Sequence, residues 1–109
     1  MKGVVVLVPF PYTDLSATKL RPAVILHENE SDIVVAFVSS KLPATQNPAA
    51  VILMQSDPGF AMTGLKTDSA IKLDKITTII RTMVAGVIGE LPDTARQEVN
   101  RKMADLYRI

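Results

Sequence analysis

Cysteine is absent from the 109 residues, which excludes a disulfide framework, a thiolate metal site and a cysteine nucleophile. The same absence fits a reducing compartment, and a cytoplasmic location is the expectation. Tryptophan is absent too, and three Phe and two Tyr are all the aromatics there are. The only histidine is His27, so a catalytic or structural zinc site has almost nothing to be built from. No glycine-rich phosphate loop opens a helix, and no Gly-x-Ser-x-Gly elbow occurs. The apolar stretch from Val4 to Val8 is stopped by Pro9 and Pro11, too early for a signal segment or a membrane span. No metal, no cofactor and no membrane association are expected. Nor does either sign of charge dominate: the net is +1, with −1 over residues 1–60 and +2 over residues 61–109.

What the chain does have is aliphatic β-branched residues in short runs. One domain spanning residues 1–109 is expected, large enough to bury a single core. Strands are predicted at Val4 to Phe10, Pro22 to Leu26, Ile33 to Val38, Ala50 to Met54, Ser69 to Leu73 and Met83 to Ile88. Ile33 to Val38 has no polar residue, as a strand buried on both faces requires. Asp74 to Thr78 either prolongs the fifth strand or turns. Gly86 suggests a bulge or a close backbone approach in the last strand. Between the first two strands lies a polar loop of about ten residues, Pro11 to Leu20, a length often tied to function. Near the end, Ala95, Val99, Met103 and Leu106 recur at helical spacing. A helix from Thr94 to Tyr107 is predicted, capped by Asp93, covering an open side of the sheet. The fold class is mainly β, a small barrel or curled sheet, with one C-terminal helix.

Chemistry has few places to reside. Polar residues gather at predicted strand ends: Arg21, Ser39, Ser40, Lys41, Lys72, Asp74 and Lys75. Arg21 precedes Pro22, which holds its backbone extended and lets its guanidinium present a planar fork to a phosphate. An ordinary surface ion pair would leave the same trace. Ser39 and Ser40 carry hydroxyls that either donate to a phosphate oxygen or satisfy backbone groups where the strand ends. Lys72 and Asp74, two apart in a strand, share a face, as a base with an electrostatic partner or as an exposed salt bridge. His27, a lone histidine at a strand end, reads as a surface residue.

These residues stand in a recognisable order. Val6-Leu7-Val8-Pro9-Phe10-Pro11-Tyr12-Thr13-Asp14-Leu15-Ser16, followed by Lys19-Leu20-Arg21-Pro22-Ala23-Val24-Ile25-Leu26, resembles the opening of the MazF/PemK toxin family. Val34 to Ser39 resembles the family strand that ends in Thr or Ser. Ser69-Ala70-Ile71-Lys72-Leu73-Asp74-Lys75-Ile76-Thr77-Thr78-Ile79 resembles a later one. The resemblance covers nearly the whole chain. The first loop reads Ser16-Ala17-Thr18-Lys19 where many members carry Glu-Gln-x-Gly, and Gly3 is followed by Val4 rather than Asp.

The resemblance implies an SH3-like barrel with a C-terminal helix, assembled as a homodimer. It implies a metal-independent, sequence-selective endoribonuclease acting on single-stranded RNA and held in check by a cognate antitoxin protein. Arg21 and Ser39 fall at the positions of the family's catalytic pair, with Lys72 and Asp74 where some members use a basic residue and an Asp. Tyr12, Thr13, Asp14 and Lys19 of the first loop, with Ser40, Lys41 and Lys75, are the expected RNA contacts. Tyr12 is the best candidate for stacking on a base.

Three other readings compete. A CcdB-type gyrase poison uses the same barrel and acts through a C-terminal Trp-Gly-Ile; here the chain ends Tyr107-Arg108-Ile109. A catalytically inactive member would serve as a binding module. A proline-rich-peptide module needs an aromatic-lined groove, for which this chain has few residues.

Overall fold

The computed structural model describes residues 1–9 and 19–109. Six strands form one antiparallel sheet: β1 (Val4–Pro9), β2 (Leu20–Glu28), β3 (Asp32–Ser39), β4 (Ala50–Leu53), β5 (Ser69–Ile80) and β6 (Gly86–Glu90). Their order across the sheet is β4-β5-β3-β2-β1-β6. The helix α1 (Asp93–Leu106) follows, and short 3₁₀ turns lie at Phe60–Thr63 and Arg81–Met83. The mainly β class with one C-terminal helix is borne out, as a curled six-stranded sheet. Among the described residues no helix is long and apolar enough to cross a membrane.

Side-chain alternation builds two apolar layers from the same strands. On the face under α1, Val5, Val24, Ala36, Val38, Ile71 and Leu73 pack against Leu91, Ala95 and Val99. On the opposite face, Val6, Val8, Ala23, Ile25, Val35 and Phe37 form a second cluster. This double burial explains why β3 carries no polar residue between Asp32 and Ser39.

Several boundaries differ from the sequence expectation. The fifth strand does not turn after Leu73 but runs on to Ile80. The last strand begins at Gly86 rather than Met83, because residues Arg81–Met83 form a 3₁₀ turn. The bulge lies near Gly86 but not at it: Val5 pairs with Gly89 and Val6 with Val87, so Ile88 is the extra residue. The close approach belongs to Gly89, where a Cβ would stand 2.2 Å from the Met62 carbonyl oxygen. A Cβ at Gly86 would meet nothing within 4 Å. Pro92, not Asp93, occupies the helix N-cap, and no side chain bonds there. Asp93 is instead the first helical residue, where its charge suits the positive end of the helix dipole.

Candidate functional site

The site lies on the sheet face away from α1, where β2, β3 and β5 meet. Arg21 shares the face of Ala23, and Ser39 the face of Phe37, because each pair is two apart in a strand. The last ladder pair between β2 and β3 is Ala23 with Phe37. Two residues further along each strand, the same count sets Arg21 across from Ser39.

β5 supplies the rest through an irregularity. Val38 pairs with Ile71 and Ala36 with Ile76, so four β5 residues, Lys72 to Lys75, stand opposite Phe37 alone. The bulge changes which side chains share a face. Ile71 and Leu73 belong to the core under α1, and so does Ile76. Lys72 and Lys75, three apart, are therefore both turned to the opposite side.

The outcome is a groove of about 560 Å³ lined by Arg21, Ser39, Ser40, Lys41, Lys72 and Lys75, together with Phe37 and Val38. Among the described residues, its four charged lining residues are all cations. Six of the sequence-nominated residues thus converge. Asp74 is exposed on the same bulge and is not among the lining residues. Lys19 is exposed just before β2 and does not line the groove either. Tyr12, Thr13 and Asp14 lie outside the described residues. His27 is an exposed residue of β2, at the end of the strand remote from Arg21.

Phe37 escaped the sequence reading as a site residue because it sits inside an apolar run. Its place two residues before Ser39 was the available signal.

The hydroxyl of Ser39 accepts a hydrogen bond from the Lys41 backbone N–H at 3.0 Å, closing a tight turn as β3 ends. A serine hydroxyl has two lone pairs and one proton, so this bond leaves the proton to donate. A groove whose described charged lining residues are all cations attracts a polyanion, and the apolar Phe37 in its lining lowers the local dielectric.

A second cavity, of about 480 Å³, lies between β4, the Phe60–Thr63 turn and the start of α1. Its charged lining residues are Asp57, Glu98 and Lys102, of both signs. Lys102 is already engaged by the Ala50 carbonyl at 2.7 Å and by Glu98 at 3.6 Å. That cavity is poorly suited to a polyanion. Among the described residues, no group of three or more His, Asp or Glu is placed to hold a metal ion.

Fold and groove together define a small curled-sheet protein with a cationic slot on the sheet face opposite its helix. Residues 1–107 match the profile of the PemK-like, MazF-like toxins of type II toxin–antitoxin systems, and the chain belongs to that family. Among solved structures it is similar to the Mycobacterium tuberculosis toxin MazF-mt6, with a TM-score of 0.74 at 16% identity over 95% of each chain. It is also similar to a mycobacterial endoribonuclease in complex with its cognate antitoxin, with a TM-score of 0.73 at 18% identity, covering 96% of this chain and 91% of that one. A further mycobacterial endoribonuclease has a TM-score of 0.69 at 20% identity, covering 96% of this chain and 88% of that one. No curated protein sequence matches significantly.

Proposed function

We propose that this toxin is a metal-independent, sequence-selective endoribonuclease that cuts single-stranded RNA in the groove between β2, β3 and β5. The observation that carries the reading is the convergence of Arg21, Ser39, Lys41, Lys72 and Lys75 on one face. In this mechanism the RNA's own 2′-OH attacks the adjacent phosphorus as it gives its proton to solvent water, the bond to the 5′-oxygen breaks, and that oxygen takes a proton from water. The products are a 2′,3′-cyclic phosphate and a 5′-OH end. The nucleophile already sits beside the phosphorus, so the protein has to supply alignment and charge stabilisation.

Arg21 holds the non-bridging oxygens as negative charge builds on the pentacoordinate phosphate. Ser39 donates its hydroxyl proton to one of those oxygens. Lys72, Lys75 and Lys41 neutralise flanking phosphates, and Ser40 adds a donor at the same rim. Lys19 and, by the family resemblance, Tyr12, Thr13 and Asp14 contact the RNA outside the scissile step. Asp74, nominated as the base, stands outside the groove lining, so the reaction as drawn rests on Arg21 and Ser39.

The toxin works as a homodimer in the cytoplasm, and its partner is a small antitoxin protein that occludes the groove. The mycobacterial endoribonuclease of the same fold in complex with its cognate antitoxin supports that pairing.

The test compares an RNA oligonucleotide with its all-2′-deoxy counterpart. The RNA is cut and the DNA bound but left whole. Equal cutting of both overturns attack by the 2′-OH.

A further inference from the structure

Ser39 stands where β3 gives way to an exposed turn. It is the last residue of the strand and half-buried, while Ser40 and Lys41 after it are exposed and bend away from the ladder. A serine in that place has a freedom that a threonine lacks. Its hydroxyl turns among three staggered wells, whereas β-branching restricts the first side-chain torsion. A donor that has to be aimed at one phosphate oxygen is weakened by that freedom.

The chain itself removes it. The Lys41 backbone N–H donates to Ser39 Oγ at 3.0 Å. This bond selects one rotamer, takes one of the two lone pairs and turns the hydroxyl proton away from the amide. Both residues line the groove, so the oxygen is tied on its turn side while the site lies on the other.

We propose that Lys41 is a positioning residue for the cleavage step: its backbone amide holds Ser39 Oγ in the rotamer from which the hydroxyl proton reaches the scissile phosphate. The inference rests on the nuclease reading of the groove and goes beyond it. Lys41 then acts twice, through its side-chain charge on a flanking phosphate and through its amide on Ser39. The two roles are separable. The charge acts on bound RNA before and during reaction, and so on KM. The aimed hydroxyl matters most as negative charge builds, and so acts on kcat.

The test replaces Lys41 by its α-hydroxy acid through chemical synthesis of the whole chain. The side chain stays and only the amide N–H gives way to an ester oxygen. Cleavage of a single-stranded RNA with one mapped cut is then measured. The expected result is a kcat lower by about three- to tenfold, the worth of one hydrogen bond, with KM unchanged. In a Ser39→Thr background the same ester should cost less than about twofold, because the branched side chain holds its own rotamer. An unchanged kcat overturns the inference, and so does a loss expressed in KM. An equal loss of kcat in the Ser39 and Thr backgrounds also overturns it, since that is damage to the turn and not to a rotamer. Failure of the wild-type protein to cut any RNA overturns the nuclease reading and the inference with it. That pattern is distinct from an active wild type whose kcat the ester leaves intact.

Discussion

Arg21 and Ser39 stand across from one another on β2 and β3, two residues beyond the Ala23–Phe37 ladder pair, and both line one cationic groove. In the proposed mechanism this pair supplies an Arg fork and a hydroxyl to one phosphate.

Arg21→Ala should lower kcat by about two to three orders of magnitude, the usual cost of losing a donor aimed at developing charge. Arg21→Lys should recover little of it, because an ammonium cannot present a planar fork. Ser39→Thr keeps the hydroxyl and should retain most activity, whereas Ser39→Ala loses it. Single-turnover cleavage rates decide; a Ser39→Ala enzyme as fast as wild type removes the hydroxyl from the mechanism.

Each groove lysine that meets a phosphate contributes to the salt dependence of binding. Lys72→Ala should flatten the slope of log Kd against log salt by about 0.7 for a single strand. Fluorescence anisotropy with an uncut oligonucleotide measures it. An unaltered slope means that Lys72 faces solvent in the complex.

Asp74→Asn should leave kcat within about threefold, because a base has to lie within hydrogen-bond reach of the proton it takes. A hundredfold loss, together with disappearance of the acid limb of the pH–rate profile, would instead establish Asp74 as the base.

Gly89 and Gly86, three residues apart, give opposite expectations. Gly89→Ala places a methyl against backbone at 2.2 Å and should cost about 1–3 kcal/mol or more in thermal unfolding. Gly86→Ala meets nothing within 4 Å and should be close to neutral. Comparable losses at both positions would contradict the packing of β6 on the Phe60–Thr63 turn.

The Glu98 carboxyl is held below its ordinary value of 4.5, first by the hydrogen bond from Arg101, which donates Nη2 at 2.7 Å, and by the charges of Arg101 and Lys102. A depressed folded-state value adds stability above the unfolded-state value and loses it as pH falls through the folded one. The gap in Tm between wild type and Glu98→Gln should therefore be open at pH 7 and close with acidification below 4.5. A gap independent of pH rules out the ion pair as its source.

Much of this architecture is legible in the residues. The β-branched runs at Val4, Ile33 and Ala50 are strands, and the Ala95-Val99-Met103-Leu106 stripe is the buried side of α1. The nominated cluster at strand ends was readable too, because Arg21-Pro22 and Val38-Ser39 each mark a point where apolar order gives way to exposed polar groups. What stayed hidden depends on partners distant in sequence. Ile71-Lys72-Leu73-Asp74 alternates as a regular strand does, and only the pairing of Ala36 with Ile76 and Val38 with Ile71 reveals the bulge. Gly89 has no local mark, since what it must avoid is the Met62 carbonyl. Asp93 looks like a cap until Pro92 is seen to hold that place.

The most direct measurement incubates the purified protein with a long single-stranded RNA in excess EDTA, beside Arg21→Ala and Ser39→Ala, and maps the new ends. Discrete cuts bearing 2′,3′-cyclic phosphate and 5′-OH ends, lost in both variants, are predicted. No cutting of several diverse RNAs by the folded wild-type protein, or equal cutting by both variants, contradicts the account.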